Sequence, residues 1–95
     1  MVKLNETVIM MESSDYKERF KAEYYQTKIR YEKLKAFNTK IESSKRANCE
    51  FANCKSVVEM PKHDCPDDLL MEQQSVMGQY LHLLEVRAVI ENIEL

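Results

Sequence analysis

The chain is 95 residues long and carries 14 Lys and Arg against 16 Asp and Glu, a net charge of −2. This is the size of one small domain. With one Gly, two Pro and no Trp, it lacks the turn formers of a β-sandwich or barrel and any Gly-rich phosphate loop, and no run of 18 apolar residues is present to span a membrane.

The first 14 residues, MVKLNETVIMMESS, form a short apolar run, Val8 to Met11, ahead of a Ser-Ser-Asp cluster, and are expected to be a flexible leader. A single domain is expected over 15–95. Its first element is a long helix over 15–46. Ser13, Ser14 and Asp15 are N-cap types, and Glu18 three residues after Asp15 adds a capping signal. Phe20, Tyr24, Thr27, Tyr31, Leu34, Asn38 and Ile41 repeat at 4-3-4-3-4-3, a seam of period 3.5. Asn38 is a polar residue inside that seam, the kind that costs stability but can fix register and oligomer state. Ala22, Tyr25, Ile29 and Ala36 form a second, weaker stripe, which needs a second partner.

A connector over 47–65 (ANCEFANCKSVVEMPKHDC) is longer than ordinary helix–helix loops. A second long helix over 66–94 opens with Pro66, which suits a first turn. Asp67 and Asp68 suit the positive end of the helix dipole. Two apolar seams overlap on it: Leu70, Met77, Leu81, Leu84 and Ala88, and Leu69, Val76, Tyr80, Leu83 and Ile90. Gly78 interrupts it at a cost of about 1 kcal/mol, which points to a close backbone approach at a helix crossing. The expected fold is all-α: two long antiparallel helices in a hairpin with a long connector. Two helices with broad apolar faces bury little on their own, so assembly into a homo-oligomeric bundle is expected.

Charge divides along the chain. From Asp15 to Arg46 it sums to +5, and from Ala47 to Leu95 to −6. Mutual attraction of the two helices is one reading, although each surface pair is worth only ~0–1 kcal/mol. An anion-binding face is the other: tyrosines interleave with Arg and Lys on the first helix, where rings can stack bases and cations can neutralise phosphates. The candidate ligand-binding residues are Tyr24, Tyr25, Lys28, Arg30, Tyr31 and Arg87. Duplex DNA is not an expected partner, because the chain is slightly acidic and carries no groove-reading motif.

Cys49, Cys54, His63 and Cys65 fall within the connector as C-x4-C-x8-H-x-C. These are zinc-ligand types, but the spacing departs from the ordinary C-x2-C and makes them weak candidates. No metal or cofactor is expected. Catalytic candidates are equally thin. His82 has Glu85 at i+3, the arrangement of a surface pair, and His63 adjoins Cys65 too closely in sequence for a thiol–imidazole pair. Glu91 lies one turn beyond Arg87, positioned for a salt bridge. The chain reads as a non-enzyme.

Two segments carry a resemblance. One is Asp15-Tyr16-Lys17-Glu18-Arg19-Phe20 followed by Tyr31-Glu32-Lys33-Leu34. The other runs from Cys65-Pro66 through Leu69-Leu70, Gln73, Met77-Gly78, Tyr80-Leu81, Leu84-Glu85, Arg87-Ala88 and Ile90-Glu91. Together they resemble a family of short phage and prophage proteins named for a product of a crAss-like phage, over about two thirds of the chain. The longer leader and the Cys49/Cys54 pair depart from that pattern. The resemblance implies a phage or prophage origin and a helical hairpin, and no established chemistry; non-enzymatic, oligomer-prone phage proteins of this size often act on host machinery, here expected in the cytoplasm of the bacterial host. The leading expectation is an anti-defence protein that sequesters a cyclic nucleotide-type immune signal as an oligomer. The alternatives are a direct inhibitor of a host defence protein such as a CRISPR nuclease, and a structural or regulatory accessory protein.

Overall fold

The computed structural model describes residues 2–47 and 59–95. Among them are three helices and no strand: α1 (Leu4–Met11), α2 (Tyr16–Ala47) and α3 (Asp67–Ile90). The segment expected as a flexible leader thus holds a helix. Its Thr7 is fully buried, and the Thr7 hydroxyl donates to Leu4 O and accepts from Gln26 Nε2 of α2 at 2.9 Å. Both α1 and α3 pack on α2 and not on each other. The second stripe of α2 thereby finds its partner within the chain: Ala22 is fully buried, and Tyr25 and Ile29 are half-buried, whereas Ala36, beyond the reach of the short α1, is exposed.

Asp15 caps α2, its Oδ1 accepting from Lys17 N at 3.0 Å, and satisfies one of the free amides of the first turn. At 32 residues and ~1.5 Å of rise each, α2 is ~48 Å long and accounts for most of the 59 Å length of the molecule. α3 runs antiparallel to it. Tyr16 at the start of α2 reaches Glu91 at the end of α3, and Asn38 reaches Leu70 and Gln74 near the start of α3. The seam residues Phe20 and Tyr24 meet Leu81, Leu84, Ala88 and Ile93 in the main core, with Tyr25 and Tyr31 packed at its edge. Thr27, expected in the same seam, lines a groove on the α1 side instead, beside Met11 and Gln26.

α3 is shorter than expected. It begins at Asp67, with Pro66 as its N-cap, and ends at Ile90. Asn92 adopts φ 57°, Asn92 N donates to Val89 O at 3.4 Å and Ile93 N to Ala88 O at 2.8 Å. This pair of bonds around a left-handed residue is a Schellman stop, and Asn is the residue after Gly that most readily takes the left-handed position. The turn folds Ile93 back into the core.

Candidate functional site

Three tyrosines fasten α2 to α3, each by donating its hydroxyl to a glutamate of the opposite helix. Tyr24 bonds Glu85 Oε2 at 2.7 Å, Tyr16 bonds Glu91 Oε1 at 3.2 Å, and Tyr80 bonds Glu23. Burial, with Glu85 adding to it, pushes the Tyr24 hydroxyl up to about 12. Tyr80 is raised chiefly by its bond to Glu23. The attraction expected between a basic and an acidic helix is therefore carried mainly by phenol–carboxylate bonds. Lys45 with Asp67 is an ion pair that does join the two helices. Arg30, Lys33, Lys35 and Lys40 have no acidic partner among the described residues.

Four of the six candidate ligand residues come together. Tyr24, Tyr25 and Lys28 line a groove of about 600 Å³ with Val2, Glu6 and Leu95. Tyr24 and Lys28 also line an adjoining one with Tyr31, Glu32, Gly78, Leu81 and Glu85. The Tyr24 and Tyr25 rings meet edge to face, centroids 5.5 Å apart, and Lys28 Nζ sits 5.7 Å from the Tyr24 centroid. Tyr31 and Gly78 continue into a third, open groove with Ser75, Gln79, His82 and Leu83. The first groove lies between α1, α2 and Leu95 and shares Tyr24 and Lys28 with the second, from which the track continues along the flank where α2 meets α3.

Gly78 meets the ring of Tyr31 rather than the backbone approach expected of it. A Cβ there would lie 3.3 Å from Tyr31 Cε1, so the glycine notch lets the Tyr31 ring lie against α3. The hydroxyl of Tyr31, unlike those of Tyr16, Tyr24 and Tyr80, has no partner among the described residues. Sequence spacing identified both residues, but not their pairing.

Arg30 and Arg87 stand apart from this track. Arg30 lines a groove on the α1 side with Met11, Arg19, Glu23, Gln26 and Thr27. Arg87 bonds Glu91 through Nε at 2.8 Å, a bond that holds the Glu91 carboxyl below its ordinary range, and its guanidinium stacks 4.8 Å from the Phe20 centroid. The salt bridge expected between these two is present. Lys28 is the one cation of the tyrosine track among the described residues, facing Glu6, Glu32 and Glu85.

Of the weak metal candidates, Cys49 and Cys54 lie outside the described residues. Cys65 is an exposed free thiol. His63 Nε2 lies 3.0 Å from Asp67 Oδ1, and its ring meets Phe37 edge to face, so its neighbour is a carboxylate rather than Cys65. No group of three or more metal-ligating side chains occurs among the described residues. His82 is exposed, and Glu85 serves Tyr24 rather than His82. No described helix is long and apolar enough to cross a membrane.

The described residues define a small helical protein with an aromatic track that carries one lysine. The chain belongs to the Sequestin family, whose model matches residues 14–90. The match spans the first of the segments that resembled phage proteins and all but Glu91 of the second, and excludes α1. The family name is that of a sequestering protein and agrees with binding rather than turnover. No curated protein and no solved structure matches the chain.

Proposed function

We propose that this protein is a non-enzymatic, phage-encoded anti-defence protein that sequesters a cyclic nucleotide-type immune signal of the bacterial host, and that it does so as a homo-oligomer in the host cytoplasm. The observation that carries this reading is the track beside Tyr24, Tyr25, Lys28 and Tyr31 in a chain of the Sequestin family. Its tyrosine rings offer stacking faces for a base, worth ~1–3 kcal/mol per base. Lys28 offers a point charge for a phosphate. A sequestering protein needs affinity and slow release and no chemistry, which is why a site without a general base suffices. Arg30 and Arg87 retain a part in this reading only as groups brought to the track from another copy.

The test is a thermal-shift and calorimetric screen with cyclic dinucleotides and cyclic trinucleotides. A ligand that binds only the native state raises its stability by about 2.7 kcal/mol at 100 times Kd. Lys28→Ala and Tyr31→Ala are expected to abolish the shift while leaving the unliganded melting temperature within a few degrees. No shift with any probe, together with co-purification of a host defence protein, would replace sequestration by direct inhibition.

A further inference from the structure

One wall of the Lys28 groove lies outside the family match. Tyr24, Tyr25 and Lys28 come from α2, but Glu6 comes from α1 and Val2 from just ahead of it, and the match begins at residue 14. Two contacts set α1 in place. Thr7, the neighbour of Glu6, is fully buried, and its hydroxyl accepts from Gln26 Nε2 at 2.9 Å. At the turn between α1 and α2, Arg19 Nη1 donates to Ser13 O at 2.8 Å. Glu6 is therefore held at the groove. A capping role alone does not account for it. Its bond from Lys3 N is 3.4 Å long, beyond the about 2.7–3.2 Å of an ordinary N–H···O bond. No cation pairs with its carboxylate among the described residues.

We infer that Glu6 is a specificity-determining residue of this groove: it repels the phosphomonoester end of a linear nucleotide and leaves Lys28 to the phosphodiester of a cyclic one. The inference rests on the sequestration reading and adds to it which ligands are turned away. Stacking on Tyr24 and Tyr25 cannot make that choice, because every base offers a face to an aromatic ring. Charge can. A phosphodiester carries one negative charge, which the point charge of Lys28 matches. A phosphomonoester carries about 1.5 to 2 at pH 7, and its surplus meets carboxylates on the remaining sides. Glu85 is already bonded by the Tyr24 hydroxyl, and Glu32 lies one turn beyond Lys28 on the same helix. Glu6 is the carboxylate that a separate helix brings to the groove. A site rejects a close relative of its ligand most effectively by placing such a repulsive group against it. The same carboxylate accepts hydrogen bonds, so a ribose hydroxyl or a base amine of a cyclic ligand can still meet it.

The experiment compares matched pairs of probes on the full chain by calorimetry: cyclic di-AMP with linear pApA, and cyclic tri-AMP with linear pApApA. The proteins are the wild type, Glu6→Gln, Glu6→Lys and Glu12→Gln. Glu6 is exposed, and circular dichroism melting checks that each variant folds. Glu12 is the C-cap of α1 and does not line the groove, so Glu12→Gln removes the same charge from the molecule elsewhere. Within each protein, the ratio of linear to cyclic affinity cancels any change in fold common to both probes. The wild type is expected to favour the cyclic member of each pair. Glu6→Gln should move the ratio toward the linear member by roughly threefold and Glu6→Lys by roughly tenfold, as for one and two unit charges about 6 Å away in water, and added salt should shrink both shifts. Glu12→Gln should keep the wild-type ratio. Unchanged ratios in both Glu6 variants, or an equal shift in Glu12→Gln, would overturn the role of Glu6 while the sequestration reading stands. Failure of every protein to bind any of the four probes would overturn the sequestration reading and the role of Glu6 with it.

Discussion

Tyr24 holds several features together. It is a core residue at 5% exposure, a donor to Glu85, a face for Lys28 and a wall of two grooves. Its hydroxyl titrates near 12 in the folded chain against ~10 when unfolded. A raised pKa means that the bond's stabilisation is complete below pH 10 and is lost as pH climbs through 12. Absorbance titration of tyrosinate should therefore show one fewer late-ionising tyrosine in Tyr24→Phe, and the stability gap between wild type and Tyr24→Phe should narrow from pH 10 to 12. Gly78 offers a second check. Alanine there gains about 1 kcal/mol of helix propensity, while its methyl presses on Tyr31 Cε1 at 3.3 Å. The Tyr31 ring, half-buried and with a free hydroxyl, can shift by a few tenths of an ångström. Gly78→Ala should raise the melting temperature slightly and weaken ligand binding by moving the ring, a split readable by calorimetry.

At the scale of elements, the ends of the helices and one buried amide set the geometry. Asn38 donates to Leu70 O at 3.1 Å and to Gln74 Oε1 at 2.9 Å, while its own Oδ1 is buried with no partner among the described residues. That arrangement sacrifices a hydrogen bond to fix how α2 and α3 slide against each other, the role its seam position implied. The stop at Asn92 is equally local. Asn92→Gly should be neutral or mildly stabilising, because Gly takes the left-handed conformation without strain. Asn92→Val should cost about 1–2 kcal/mol and loosen Ile93 from the core. Urea denaturation midpoints of the two variants separate these outcomes. This stop lay hidden in the sequence because the apolar pattern of α3 continues through Ile93. Periodicity reads Ile93 as one more helical residue, whereas it reaches the core by turning back.

For the molecule as a whole, α2 serves as a central rod with α1 on one side and α3 on the other, and the outer face of α3 is left open. The homo-oligomer proposed above gains stability by mass action. Its melting temperature should rise with protein concentration in the micromolar range, and Leu83→Glu should flatten that dependence. Differential scanning calorimetry over a hundredfold concentration range makes the comparison.

The sequence by itself determined the helical class, the start of α2 at its Asp15 cap, the seam that meets α3, and the places of Asn38 and Gly78 at the contact between the two helices. Each is a local or periodic signal, fixed by propensity, capping and the 3.5-residue repeat. Tertiary structure alone decided the rest. The N-terminal segment becomes a helix because α2 offers it an apolar stripe and a Gln26 partner, and an eight-residue helix has too few internal bonds to announce itself. Which tyrosines are tied to glutamates and which stay free depends on rotation of α2 against α3, which spacing along one helix does not contain. The same rotation gathers Tyr24, Tyr25, Lys28 and Tyr31 on one flank and turns Arg30 and Arg87 away from it. Residues of like chemistry are sorted into a site or out of it by the face on which packing leaves them.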